Sequence, residues 1–139
     1  MIIGFIGYAG SGKDTAADCL GNLYDKRNVR YSRHSLASPI KRMAYDHFGW
    51  DGKKDHKGRK LLIDLGMVGR AYDPAIWLNK TLVWFLSEDS PSDICLIPDI
   101  RFTNEADYVW QHGGILIRVI RPEVEPMEHQ SERELDGYL

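Results

Sequence analysis

The stretch Gly7-Tyr-Ala-Gly-Ser-Gly-Lys13 stands directly behind the apolar run Ile2–Ile6 and directly ahead of a helically periodic segment. This order constrains the chain more than any other feature it has. A short apolar run ended by glycine suits a strand buried on both faces. Beyond the loop, Ala16, Cys19, Leu20, Leu23 and Tyr24 recur on one side of a helix predicted over Lys13–Lys26. A glycine-rich turn between a strand and a helix is built to hold an anion. Its glycines let successive N–H groups point into one concavity, and the helix start adds unpaired N–H groups and the positive end of its dipole. Lys13 brings a point charge for the outer phosphates of a nucleotide. The pattern departs from its commonest form at one place. Asp14 stands where a Ser or Thr is usual, and the hydroxyl follows as Thr15. Asp14 could act on magnesium through water or favour the helix start electrostatically, and Thr15 is the better candidate for direct contact with phosphate or metal.

The rest of the chain alternates strand and helix signals. A second strand is expected over Val29–Leu36, and Ser38-Pro39 reads as the start of a helix running to about Phe48. After the polar loop Gly49–Gly58, one helix should turn Leu61, Leu62, Leu65 and Val68 to one side. Another, opened by Asp73-Pro74, should carry Leu78, Leu82 and Phe85 inward. Ser90–Asp93 breaks the chain before a strand at Ile94–Pro98. A helix at Asn104–His112 and a strand at Ile115–Ile120 follow, and the acidic stretch 122–139 has a helical pattern only near its end. This alternation predicts an α/β fold of three layers, with a parallel sheet of about four strands flanked by helices.

Composition excludes several function classes. The 139 residues make one domain, and a net charge of −2 argues against a nucleic-acid backbone as the main partner, which needs a basic stripe. No apolar run reaches the roughly 20 residues that span a bilayer. The opening Met1–Gly7 lacks a basic lead and a cleavage site, so no signal peptide is expected. Cys19 and Cys95 have no metal or disulfide spacing and read as buried thiols of a reducing cytoplasm.

A second constellation lies at Ile94-Cys-Leu-Ile-Pro-Asp-Ile-Arg-Phe-Thr-Asn-Glu105. In open parallel sheets ligands collect beyond the carboxyl ends of strands, so Asp99 should face the same crevice as the loop. There it could hold a magnesium-bound water or orient an attacking oxygen, and Arg101 suits bidentate contact with phosphate. Lys41, Arg59, Lys60 and Arg70 supply further cations, and Arg118 and Arg121 lie where a lid could reach a nucleotide. The five histidines show no metal-ligand spacing.

With these residues in view, the chain resembles the bacteriophage-type deoxynucleoside monophosphate kinases, which have the P-loop NTPase fold. The likeness runs through Gly7–Thr15, Leu36-Ala-Ser-Pro-Ile-Lys41, Lys57–Leu62, Gly69-Arg70 and Trp77. It continues through Pro98–Glu105, Gly113-Gly114, Arg118–Arg121 and His129–Glu132. The resemblance implies transfer of a phosphoryl group from ATP to a deoxynucleoside monophosphate, with Mg2+, in the cytoplasm (of the host, if phage-encoded). Gly10, Ser11, Gly12, Lys13, Asp14 and Thr15 would cradle ATP, with Arg118 and Arg121 closing on it. Lys13, Asp99 and Arg101 would serve catalysis, and Thr15 and Asp99 the metal. Lys41, Arg59, Arg70 and Arg101 would hold the acceptor, residues 38–90 forming an acceptor-binding region and 118–139 a lid-like tail. The family's last strand has no counterpart before Leu139. The edge of Ile115–Ile120 would then be covered by that tail or by a second copy in a homodimer. Two other readings stay open: a kinase for another small acceptor, such as dephospho-coenzyme A or phosphomevalonate, and a nucleotide-binding module without turnover.

Overall fold

The structure, a computed structural model, describes residues 1–83, 85–87, 91–129 and 133–138. Its order is β1 (Ile2–Ile6), α1 (Lys13–Lys26), β2 (Tyr31–Arg33), α2 (Ala37–Phe48), α3 (His56–Tyr72), α4 (Ile76–Leu82), β3 (Ile94–Ile97), α5 (Thr103–Gln111) and β4 (Ile115–Arg118). The strands form one parallel sheet in the order β2-β3-β1-β4. Helices cover both faces, which makes the three-layer α/β arrangement expected of the sequence.

The period of two along β1 explains the layers. Ile3 and Phe5 face α1, where they pack with Ala17, Ile94 and Leu96 and with the partly buried Leu20 and Tyr24. Ile2 and Ile6 face the other way and join Leu78, Leu82, Ile97, Ala106 and Val109 from α4, β3 and α5. Gly4 lies between them on that second face. A Cβ there would come within 2.9 Å of a Leu116 methyl, so the glycine lets α5 and β4 close on the strand.

Several boundaries and orientations differ from expectation. The second strand is only Tyr31–Arg33, although His34 N still donates to Leu96 O at 2.9 Å. Beyond it, the backbone turns out of the sheet to start α2 at Ala37, one residue before Ser38-Pro39. Val68 is 70% exposed, because α3 packs through Gly66 and Gly69 and so turns a different side inward. Cys19 is exposed on α1, whereas Cys95 is buried in β3. Near the end, residues 133–138 form turns that dock on α5 and the loop after β1, not a helix. Ser90, residues 130–132 of the His129–Glu132 motif, and Leu139 lie outside the described residues. Among the described residues, β4 is an edge of the sheet, and Ile115 on it is 47% exposed. No helix among them is long and apolar enough to cross a membrane.

Candidate active site

Parallel register brings the two predicted constellations to one end of the sheet. Gly4 pairs with Ile97, so the chain leaves β3 toward Asp99 at about the level where β1 ends in Ile6 and the loop begins. The two strands are neighbours, and their carboxyl ends therefore share a crevice.

The loop has the shape of an anion cradle. Gly7, Gly10 and Gly12 adopt φ of 141°, 79° and 100°, values that side chains disfavour, and Gly12 is the left-handed N-cap of α1. Ala16 N donates to Gly12 O at 2.9 Å, which closes the first turn of α1 onto the loop. Helix starts of this kind present their first amides to anions. Lys13 is 8% exposed, and its Nζ donates to Gly7 O and Tyr8 O at 2.6 and 2.7 Å. Ser11, 7% exposed, has a buried Oγ with no protein hydrogen-bond partner. A buried hydroxyl in a glycine loop that also holds a largely buried lysine fits the oxygens of a bound phosphate chain.

Asp14 settles against protein. It pairs with Arg33 from the end of β2, and Arg33 Nε also lies 3.4 Å from Asp18. Sequence reading missed Arg33, since 19 residues separate it from Asp14. Thr15, the next residue, is exposed.

Asp99 is engaged on both oxygens. Oδ1 accepts from Leu36 N at 2.9 Å, and Oδ2 accepts from Ser35 Oγ at 2.7 Å and Ala37 N at 3.0 Å. The carboxylate thus caps α2 from across the sheet, the role that Ser38 was expected to fill locally. Among the described residues, no cluster of three or more His, Cys, Asp or Glu could hold a metal. A magnesium ion here would have to be held as such ions usually are beside phosphates, by one or two protein oxygens (Thr15 and Asp99) with water and phosphate completing its shell.

Arg70 lies within electrostatic reach of both Asp99 and Arg101. The Arg70 guanidinium lies 4.1 Å from the Phe102 ring centroid, and its Nη2 is 3.5 Å from Glu105 Oε1. Burial lowers its pKa, while the Glu105 carboxylate opposes that shift and Asp99 and Arg101 are near enough to act on it. Lys41 is half-buried on α2. Arg59 sits elsewhere. It lines an open basin with Lys54, His56, Lys60 and Ile63, eleven residues and so roughly 16 Å along α3 from Arg70.

Arg118, at the end of β4, donates to Leu135 O at 2.5 Å. It shares a recess with Gly7, Tyr8, Ile100, Arg101, Leu135 and Asp136, and Tyr8 Oη donates to Asp136 at 2.8 Å. Arg121 is turned to Glu123 at 3.1 Å and is exposed. The structure therefore brings the loop, Asp99, Arg70, Arg101 and Arg118 to one end of the sheet and leaves Arg59 apart.

No protein-family model matches the chain. A protein of Acanthamoeba polyphaga mimivirus, provisionally named a deoxynucleotide monophosphate kinase, is 29% identical over 163 aligned positions, which span 97% of this chain and 82% of the viral protein. This relative comes from a virus of amoebae, so the likeness is to a kinase-like protein and carries no phage attribution. Among solved structures, a mutant APS kinase of Mycobacterium tuberculosis aligns over 99% of this chain and 92% of its own, at 14% identity and a TM-score of 0.39. The fold assignment rests instead on the strand order, the parallel register and the glycine loop.

Proposed function

We propose that this chain transfers the terminal phosphoryl group of ATP to a deoxynucleoside monophosphate. The observation that carries the reading is the meeting, at the ends of adjacent strands β1 and β3, of a glycine anion cradle with a cluster of acidic and basic side chains. Phosphoryl transfer asks the protein mainly to position two anions and to neutralise charge spreading over the moving group. The cradle and Lys13 would hold the donor's phosphates, with Lys13 leaving the Gly7 and Tyr8 carbonyls for them. Arg70 and Arg101 would hold the acceptor's phosphate as bidentate partners. Asp99, fixed by its three hydrogen bonds, would orient the acceptor oxygen through its remaining lone pairs. Magnesium, when bound, supplies charge neutralisation between the donor phosphates.

The named relative supports a deoxynucleotide as the acceptor, and the cation-rich side of the crevice suits any small phosphorylated acceptor. The test is ADP formation from ATP with each of the four common deoxynucleoside monophosphates, beside dephospho-coenzyme A and phosphomevalonate. Turnover with at least one deoxynucleotide, and its loss in Lys13→Ala by about 100-fold or more, is the expected result. Turnover only with another acceptor would move the substrate. ATP binding with no turnover at all would leave a binding module.

A further inference from the structure

Resting on the phosphoryl-transfer reading, we propose that Glu105 is a positioning residue for the acceptor side of the site, holding Arg70 and the Arg101 backbone in place for the acceptor phosphate. Glu105 is the most buried of the charged side chains in the core, at 2% exposure, on the first turn of α5. The same stretch of chain carries the buried apolar residues Ile100, Phe102, Ala106 and Val109. A carboxylate in such a place is costly unless each oxygen is compensated. Burial pushes its pKa up, and the Arg101 amide, the Arg70 charge and the Phe102 amide hold it down.

The two oxygens divide the work. Oε2 accepts from Arg101 N at 2.8 Å and Phe102 N at 3.1 Å, which ties the turn after Asp99 to the start of α5. This half of the job needs an acceptor, not a charge. Oε1 faces Arg70 Nη2 at 3.5 Å and comes from a helix 35 residues away in sequence. The same guanidinium lies over the Phe102 ring. Held by a ring and a carboxylate, a side chain that is only 19% exposed keeps one orientation, and one bond to Glu105 takes a single donor from its fork of five. Fixing a phosphate-holding fork in advance lowers the entropy cost of gripping the acceptor.

Glu105→Gln separates the two halves. It keeps the shape and an oxygen for the Arg101 and Phe102 amides, and removes the charge opposite Arg70. The expected result is a rise in the acceptor's KM of roughly 10–100-fold, with an unchanged KM for ATP and an unchanged melting temperature. Glu105→Asp should recover part of the loss. Arg70→Lys, which keeps charge but loses the fork, should raise the acceptor's KM without destabilising the chain, and its effect should not add to that of Glu105→Gln. The proposal is overturned if Glu105→Gln unfolds the protein, if ATP and acceptor parameters worsen together with stability, or if either variant keeps the wild-type acceptor KM. A wild-type protein that transfers phosphate to no acceptor overturns both this and the reading it rests on, so that control tells the two failures apart.

Discussion

At the scale of single residues, the site is held by pairs far apart in sequence. Asp99 reaches back 62 to 64 residues to the start of α2, and Asp14 is taken up by Arg33. Because Asp99 accepts three hydrogen bonds, including two from the Leu36 and Ala37 amides at a helix start, Asp99→Ala should lower stability by about 1–2 kcal/mol, as losing a helix cap does. Urea unfolding would read it, and unaltered stability would remove the capping role. The two cysteines diverge as well. Burial pushes the Cys95 thiol up to about 12, so the folded chain keeps it neutral. Its folded value lies above its unfolded one, so the stability it contributes is present below about pH 8.5 and is lost as pH rises toward 12. At pH 8 a thiol reagent should modify Cys19 in the folded protein and reach Cys95 only in denaturant. Rapid native reaction of both would contradict the burial of Cys95.

At the scale of elements, strands and helices were legible where one local period dominates. Ile2–Ile6 and Lys13–Lys26 have the bounds that their patterns predict. The helix after the polar loop was legible as a helix but not in its facing. Its inner side is marked by glycines rather than by Val68, and a missing side chain leaves no hydrophobic signal. Trp77 from α4 fills that gap: its Nε1 donates to Gly66 O at 3.1 Å, and a Cβ on Gly69 would lie 2.4 Å from the ring. Trp77 is 2% exposed and has nowhere to retreat. Gly69→Ala should therefore cost about 1–2 kcal/mol, overpacking outweighing the roughly 1 kcal/mol that alanine gains in a helix. A thermal melt at or above wild type would mean that α3 and α4 do not pack this closely.

At the scale of the whole molecule, the loop and the Pro98–Glu105 block could be read as one site because a parallel sheet gathers the ends of its strands. The docking of residues 133–138 could not be read. It depends on Leu135 entering the core and on Tyr138 reaching Asp107, contacts with no local period to announce them. Both cores share the single sheet, so the chain should unfold in one transition, and a ligand in the loop should stabilise all of it. ATP at about 100 times its Kd should add about 2.7 kcal/mol, a shift of several degrees in melting temperature. Lys13→Ala should abolish that shift, and an equal shift in the variant would place nucleotide somewhere other than the loop.

The central claim is transfer between two phosphates held at the ends of β1 and β3, and following the phosphoryl group itself tests it most directly. ATP labelled in its terminal phosphate is incubated with the protein and a deoxynucleoside monophosphate, and the products are separated. The label should appear in the deoxynucleoside diphosphate. Label found only in inorganic phosphate, or remaining in ATP for every deoxynucleotide offered, would contradict the account.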